Sequence, residues 1–503
     1  MKICFLAQRR FAYIAHCLAI TLKEKYGITE FCGYTSLRTS HDFLTNQKEI
    51  KYSALIFDEE IHERYKTELL DLAYLNWLER AYGIPNLWPY IAIDRVVMFN
   101  QLVREYPYAA PPYTHEEMMR ILQVRAKAII EFLDKEKPDA LVFSVLGGMG
   151  GYLLHEIAAK KGIQPIAILP GYTKNKTIIS KRYDRFTEVE EIAKQIIAAG
   201  DVARRCQKAS DFLRNFRNAP HPYYDGVDIK KLAVKRASHF NFLKPKNFVR
   251  FIKVYSKELY DYTAKMDRND YTYINPLYSL YDRLKRKIRN LIGVEDLYDA
   301  FNPDVDFAYY TLQMEPEIST LLHAPFHANQ LVLVRQIARS LPVHFTLYVK
   351  EHPQMVPFRP RSYYKELKKI PNVKLLAPSI TSFEILPKAK LVLTITSTAG
   401  WEALFLGKPV ITFGDQFYNA ISMVKKCEQI DLLPYIVEDQ LRRFNFDEKE
   451  LLAYIQGMLE DAAPLDLSYI WEHEADLEKK RAVLEPLADL LAKKIKLYAE
   501  KNI

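Results

Sequence analysis

The stretch Lys390–Gly414, KLVLTITSTAGWEALFLGKPVITFG, constrains this chain more than any other. An apolar, β-branched run ends in small hydroxylated residues, passes into a helical pattern and emerges in a second β-branched run, the order of strand, helix and parallel strand. HFTLYVKEHP, from His344 to Pro353, repeats the strand-then-turn half of that pattern. Such turns present backbone N–H groups and the positive end of a helix dipole to an anion. A nucleotide mono- or diphosphate is the expected guest.

A chain of 503 residues is too long for one hydrophobic core, so two domains with additional helices are expected. Hydrophobic residues make up 49% and charged residues 26%, the balance of a folded soluble protein rather than a disordered one. Cys4, Cys17, Cys32, Cys206 and Cys427 are widely spaced and form no CxxC pair. Neither a disulfide framework nor a zinc site is expected, and a reducing cytoplasm fits. Gln8, Arg9 and Arg10 interrupt the apolar N-terminus, which argues against a signal-peptide core, and no run reaches the roughly 18 apolar residues of a membrane span.

The formal charge of +9 concentrates in RLKRKIR, Arg283 to Arg289, on a helical pattern. Its first reading is a solvated helix face; its second is peripheral docking on an anionic membrane leaflet. Nucleic-acid binding is set aside, because no aromatic and basic motif of the RNA- or DNA-binding modules accompanies the patch.

Continuous apolar runs such as Ala140–Val145 and Pro165–Leu169 are the signature of parallel strands covered on both faces. They place a doubly wound Rossmann-like domain over residues 1–195, built on the strands KICFLA, SALIFDEE, ALVFSVLGG and PIAILPGY. Residues 196–300 read as a helical insert or linker. Strand and helix alternate again over 301–465, with five strands expected: FAYYTLQ, HFTLYVKEH, VKLLA, KLVLTITS and PVITFG. Residues 466–503 read as C-terminal helices. The fold class is α/β, with two Rossmann-like domains in a GT-B arrangement and a helical insert.

The candidate donor site gathers where strands of the later domain end. His352, held before Pro353, is placed to donate to phosphate, with Lys350 and Glu351 beside it to add charge or contact base and ribose. Thr396, Ser397 and Thr398 supply hydroxyls, Ala399 and Gly400 allow close backbone approach, and Glu402 is available to a ribose or a capping box. Gln313, Glu315 and Glu317 follow the first strand of this domain, where Pro316 is expected to send the carboxylates into a loop as nucleophile or base. His323 and His327 flank Pro325 without a third ligand, so no metal is expected. In the first domain Arg9, Arg10, Gly148 within GGMGG, and His155 are the acceptor-side candidates. GGMGG itself does not match GxGxxG, and close helix packing or acceptor room is its expected use.

With these residues in view, Phe307–Tyr418 resembles the capsule polysaccharide biosynthesis family, which includes bacterial β-Kdo transferases. The family's HP motif falls on His352 and Pro353, its phosphate turn on Ser397 and Thr398, and its QxxxD motif on Gln313 to Glu317. The resemblance implies that His352, Ser397 and Thr398 hold a CMP phosphate and that the acidic residue acts at the anomeric carbon, with Gln313 and His352 in the catalytic group. Glu317 stands where the family has Asp. No carboxylate ends the strand before GGMGG, which leaves Asp58, Glu59 or His155 as sources of a base.

The expectation is a metal-independent glycosyltransferase that uses no cofactor. It would move a sugar from a nucleotide donor, such as CMP-Kdo, to a capsule or other surface polysaccharide or its lipid-linked precursor. The alternatives are a nucleotide-sugar 2-epimerase and an inactive GT-B-like scaffold in glycan assembly.

Overall fold

The computed structural model describes residues 1–99, 110–173, 175–221, 240–241, 244–260, 262–263, 276–467, 470 and 476–500. The chain divides into two compact units. The first comprises Met1–Met98, Pro112–Ser210 and Leu452–Ile503, the second Phe99–Pro111 and Asp211–Leu451.

The first unit is built on β1 (Lys2–Ala7), β2 (Glu30–Thr35), β3 (Tyr52–Phe57), β4 (Ala140–Phe143), β5 (Gln164–Pro170), β6 (Thr177–Ser180) and β13 (Ala462–Ala463). The order is β13-β6-β5-β4-β1-β2-β3; β1 to β5 pair in parallel, while β6 and β13 add antiparallel edges. Three of these strands go beyond the four read from sequence. β2 carries Glu30 and Gly33, and β6 and β13 hold only two apolar residues each, so none gives a long continuous apolar run.

Residues 452–503 join this first unit. The terminal helix Leu477–Glu500 sets Leu484, Leu487, Leu491 and Ile495 in one core with Phe11, Ile14 and Leu18 of the helix Phe11–Tyr26. That spacing of three and four residues is a single helix face. Lys25 Nζ and Tyr26 Oη donate to Asp489 Oδ1 at 2.7 and 2.6 Å along the seam.

The second unit carries six parallel strands, one more than expected: β7 (Phe307–Thr311), β8 (Thr346–Lys350), β9 (Val373–Leu376), β10 (Leu391–Thr394), β11 (Val410–Thr412) and β12 (Val424–Lys426). Their order is β12-β11-β10-β7-β8-β9. Chain order therefore reverses direction between β7 and β10, the topological switch point at which Rossmann-like sheets bind ligands beyond the strand ends. Alternation fixes the two faces. Ala308, Tyr310, Leu347, Val349 and Leu393 pack with Leu333, Ile337 and Leu367, which leaves Tyr309, Thr311, Lys350 and Thr394 for the opposite face. Ahead of β7 lie the helices Pro245–Tyr260 and Pro276–Ile292, within the span read as an insert. No helix among the described residues is long and apolar enough to cross a membrane.

Candidate functional site

Gln313 bridges the switch point of the second unit. Its Nε2 donates to Thr311 O at 3.2 Å, on its own strand's end, and to Thr394 Oγ1 of β10 at 3.4 Å. Its backbone is held as well: the N–H donates to Gln330 Oε1 at 2.6 Å and the carbonyl accepts from Arg359 Nη2 at 2.8 Å. Two of these bonds hold the side chain and two the backbone, so Gln313 is fixed in place at the switch point.

His352 leaves β8 and starts the turn Pro353–Met355. Its Nδ1 accepts the Gln354 N–H at 3.3 Å, which in the neutral ring puts the proton on Nε2. The histidine is half-exposed. Pro353 offers no N–H and serves to turn the chain.

Across β7 from β8, Ser397 caps the helix Thr398–Phe405. Its Oγ accepts the Ala399 N–H at 3.1 Å, and its own N–H donates to Thr394 Oγ1 at 2.9 Å. Tyr418 Oη donates to Ser397 O at 2.7 Å, and a Cβ on Gly400 would lie at that same distance from Tyr418 Oη. Gly400 is therefore needed for the tyrosine's approach from within the unit. Ser397 and Thr398 are half-exposed, whereas Thr396, Ala399 and Gly400 are buried. Thr396 Oγ1 donates to Ser319 O at 3.3 Å, so this hydroxyl ties down the segment after β7. Positioning, not ligand donation, is its observed role.

Lys350 and Glu402 are both buried and act on one another. Burial drives the lysine down to about 8, with Glu402 and Glu384 pulling it back up. Burial likewise raises Glu402 to about 8, opposed by Lys350. Desolvation outweighs mutual attraction at both groups, which leaves charge that a ligand of either sign would restore.

Glu351 behaves differently from the expectation that it reaches a ligand. It lies fully inside, its Oε1 bound by Arg359 Nη1 and His352 N–H (2.6 Å) and its Oε2 by Tyr364 Oη at 3.0 Å. Burial pushes its carboxyl up while Arg359 pulls it down. Glu315 is likewise turned inward, accepting from Arg359 Nη2 at 2.9 Å and Gln330 Nε2 at 2.8 Å. Glu317, half-exposed at the start of the short helix Ile318–Leu321, is the carboxylate of this segment left near the surface. Arg359, which organises this cluster, gave no signal in FRPRSYY, because its partners lie 44 and 8 residues away. His327 packs edge-on against Phe413 at 5.6 Å and is lowered by burial and by Lys426. Among the described residues no group of three or more metal-binding side chains comes together.

The first unit has its own switch point between β1 and β4. Gln8 Nε2 donates to Gly147 O at 2.8 Å across it, and Arg9 (φ 46) and Arg10 follow, both exposed. Gly148 (φ 82) precedes the helix Met149–Lys160, whose first N–H donates to Asp94 Oδ2 at 3.2 Å. A Cβ on Gly150 would overlap the Tyr34 hydroxyl, and one on Gly151 would overlap Gln8 Nε2. GGMGG is thus filled by protein atoms at these two positions.

The base candidates of this unit are all engaged. Asp58 accepts from Tyr34 Oη and from Arg125 Nε and Nη2 at 2.9 and 3.0 Å, with Arg125 fully buried. Glu59 pairs with Arg38 at 2.7 Å. His155, taken from sequence as an acceptor-side residue, is buried between Phe143 and Tyr183, with Nδ1 2.9 Å from Glu156 Oε1. A position two turns into a helix between two strands makes it a packing residue. A cavity of about 610 Å³ opens at the amino ends of β1, β4 and β5, lined by Asp139, Lys161 and Tyr498 among others. That is the opposite end of the sheet from the loops described above.

Residues 245–431 match the family model for capsule polysaccharide biosynthesis proteins. This segment, 245–431 of the 503 residues, is similar to the capsule polysaccharide biosynthesis family. The matched segment takes in the helices Pro245–Tyr260 and Pro276–Ile292 and all of β7 to β12. Protein FixF of Sinorhizobium fredii is 33% identical over 147 residues, 27% of this chain and 35% of that protein. The capsule polysaccharide modification protein LipA of Neisseria meningitidis serogroup B is 33% identical over 91 residues, 18% of this chain and 13% of LipA. The chain thus spans about a third or less of these curated relatives. Among solved structures, the β-Kdo 2,7 transferase KpsC of Thermosulfurimonas dismutans superposes with a TM-score of 0.32 at 14% identity, over 72% of this chain and 88% of that one. A UDP-GlcNAc 2-epimerase from Methanocaldococcus jannaschii gives 0.25 at 12% identity, over 92% and 99%.

Proposed function

We propose that this chain is a metal-independent GT-B glycosyltransferase. It takes a sugar from a nucleotide donor, a CMP-sugar such as CMP-Kdo, and delivers it to a capsule or other surface polysaccharide or its lipid-linked precursor. The observation that carries the reading is the pair of strand-end turns on either side of β7. Two strand spacings, about 10 Å, separate β8 from β10. In this reading His352 Nε2–H from one turn and the Ser397 and Thr398 hydroxyls from the other would donate to a leaving phosphate.

Charge develops on that phosphate as the glycosidic bond breaks, and donors fixed in advance favour it without reorganisation. Lys350, buried beside Glu402, adds a cation on demand: an arriving dianion raises its proton affinity. Glu317 is the carboxylate assigned to the anomeric carbon, as nucleophile or as stabiliser of the oxocarbenium-like centre. Arg9 and Arg10 remain the acceptor-side proposal. The reaction would take place in the cytoplasm, where activated nucleotide sugars are at hand.

A thermal-shift screen of CMP, UDP, GDP and CDP tests the donor class, because a ligand that binds only the native state raises its stability. Stabilisation by one nucleotide, lost in His352→Ala, is the expected result. A flat response to all four would remove the reading.

One observation favours a second reading, a nucleotide-binding scaffold without transfer. Asp58 and Glu59 of the first unit are held by Arg125 and Arg38, and His155 lies in the core. Nucleotide binding with no sugar transferred to any glycan acceptor would select the scaffold.

A further inference from the structure

The helices Pro245–Tyr260 and Pro276–Ile292 pack on one another through Tyr255 Oη, which donates to Pro276 O at 3.2 Å, and through Arg283 and Glu258 at 3.8 Å. Phe251, Tyr255 and Glu258 of the first helix, spaced by four and three residues, are its half-buried side. A different side carries Phe248, Val249, Ile252 and Leu259, all exposed, with Val249 at 64%. Lys246, Arg250, Lys253 and Lys257 form a basic row on one side of that apolar stripe, with exposed Val254 beyond it.

The second helix is anchored by its arginines. Arg289 Nη1 donates to Phe358 O at 2.6 Å, and the Arg286 guanidinium lies 5.1 Å over the Phe358 ring. The basic run singled out in the sequence is therefore partly an attachment device. Its outward side is apolar: Tyr281, Leu284, Ile288, Leu291 and Ile292 stand exposed at intervals of three and four residues, with Ile292 at 61%. Lys285 and Lys287 lie to either side of this stripe. Arg283, Lys285, Arg286, Lys287 and Arg289 are half-exposed, so the reading as a solvated face describes only part of this helix, whose most exposed residues are apolar or aromatic.

Two adjoining helices, each with an outward apolar stripe edged by lysine and arginine, have the make-up of an interfacial membrane anchor. We infer that this helical pair docks the protein on an anionic lipid surface, with the apolar stripes entering the headgroup boundary and the basic borders meeting lipid phosphates. Charge chooses the occupant. The first helix carries four cations against Glu258, and the second carries five against Asp282, a balance that suits acidic headgroups. The inference does not depend on the transferase reading; it would carry any activity of the second unit to the membrane.

Flotation of the whole chain with vesicles tests it. Binding is expected to vesicles of phosphatidylcholine and phosphatidylglycerol in equal parts, and not to phosphatidylcholine alone. High salt should weaken it. Lys253→Gln with Lys257→Gln should lower partitioning about 25-fold, roughly fivefold for each cation. Leu284→Glu with Ile288→Glu should lower it at least roughly tenfold. All four side chains are outward-facing, so an unchanged melting temperature is the folding control, and the lysine pair stands in should the glutamate variant unfold. No binding to anionic vesicles, equal binding to neutral ones, or unchanged binding in both variants would overturn the inference. So would self-association in sedimentation velocity that the glutamates abolish without any vesicle binding.

Discussion

Lys350, the last residue of β8, and Glu402, in the second turn of the helix after β10, are buried partners whose proton affinities converge at about 8. Each is displaced toward neutrality by desolvation, and each is drawn part of the way back by the other. Their titrations act on stability with opposite signs. Glu402 binds its proton more tightly folded than unfolded, so stability falls as pH rises from about 4.5 to about 8. Lys350 binds its proton less tightly folded, so stability rises from about 8 to about 10.5.

A stability minimum near pH 8 follows for the ligand-free protein. Glu402→Gln should flatten the acid-side limb, whose slope is at most roughly 1.4 kcal/mol per pH unit. Chemical denaturation across the pH range reads this directly, and an unchanged acid-side slope in the variant would show that Glu402 titrates normally.

The two roles of Ser397, capping and ligand donation, come apart in Ser397→Gly. Glycine retains most of an N-cap's value, within a few tenths of a kcal/mol, but has no hydroxyl. Ser397→Ala should cost about 1 kcal/mol of stability by comparison. If the hydroxyl meets a phosphate, both variants weaken nucleotide affinity by roughly tenfold or more in calorimetry, because a hydrogen bond to a charged group is worth about 1.5–3 kcal/mol. Equal affinity in wild type and Ser397→Gly would confine Ser397 to capping.

Glu315 and Glu317 sit two residues apart and should respond in contrasting ways. Glu315→Gln removes a charge from a buried cluster and leaves Arg359 under-compensated, a loss of about 3–5 kcal/mol. Glu317→Gln lies half-exposed and should leave the melting temperature nearly unchanged while it abolishes transfer. A Glu317→Gln variant with normal transfer would remove it from the chemistry.

Gly150 is a packing position. A methyl group there meets the Tyr34 hydroxyl and lies 2.7 Å from Asp58 Oδ1, in a cluster closed by Arg125. Gly150→Ala should destabilise the first unit by about 1–3 kcal/mol. Restoration of stability by Tyr34→Phe in the same chain would identify the hydroxyl as the obstacle; a neutral Gly150→Ala would show that the helix shifts freely.

The parallel strands of both units were legible because a strand covered on two faces must be apolar throughout, as in Ala140–Phe143 and Leu391–Thr394. β2 lacked that mark because Glu30 and Gly33 break its apolar run, and β6 and β13 because each holds only two apolar residues. The turns at His352 and Ser397 were legible for a local reason: a helix start needs a cap, and a strand end before proline needs a turn. Glu351 is expected from sequence to reach a ligand, and its burial, like that of Glu315, was not legible because the arginine that binds both comes from the loop before the helix Arg361–Lys368.

Local chemistry, written in neighbours a few residues apart, was enough for the sequence to determine two Rossmann-like units and the turns that end their strands. Which charged groups stay available was a tertiary decision. Whether a carboxylate meets Arg359, Arg125 or solvent depends on chain segments far apart in sequence, and burial then sets its charge. The same holds for the two basic helices: their charge was visible in the letters, but only packing assigned Arg286 and Arg289 to anchoring and turned an apolar stripe outward.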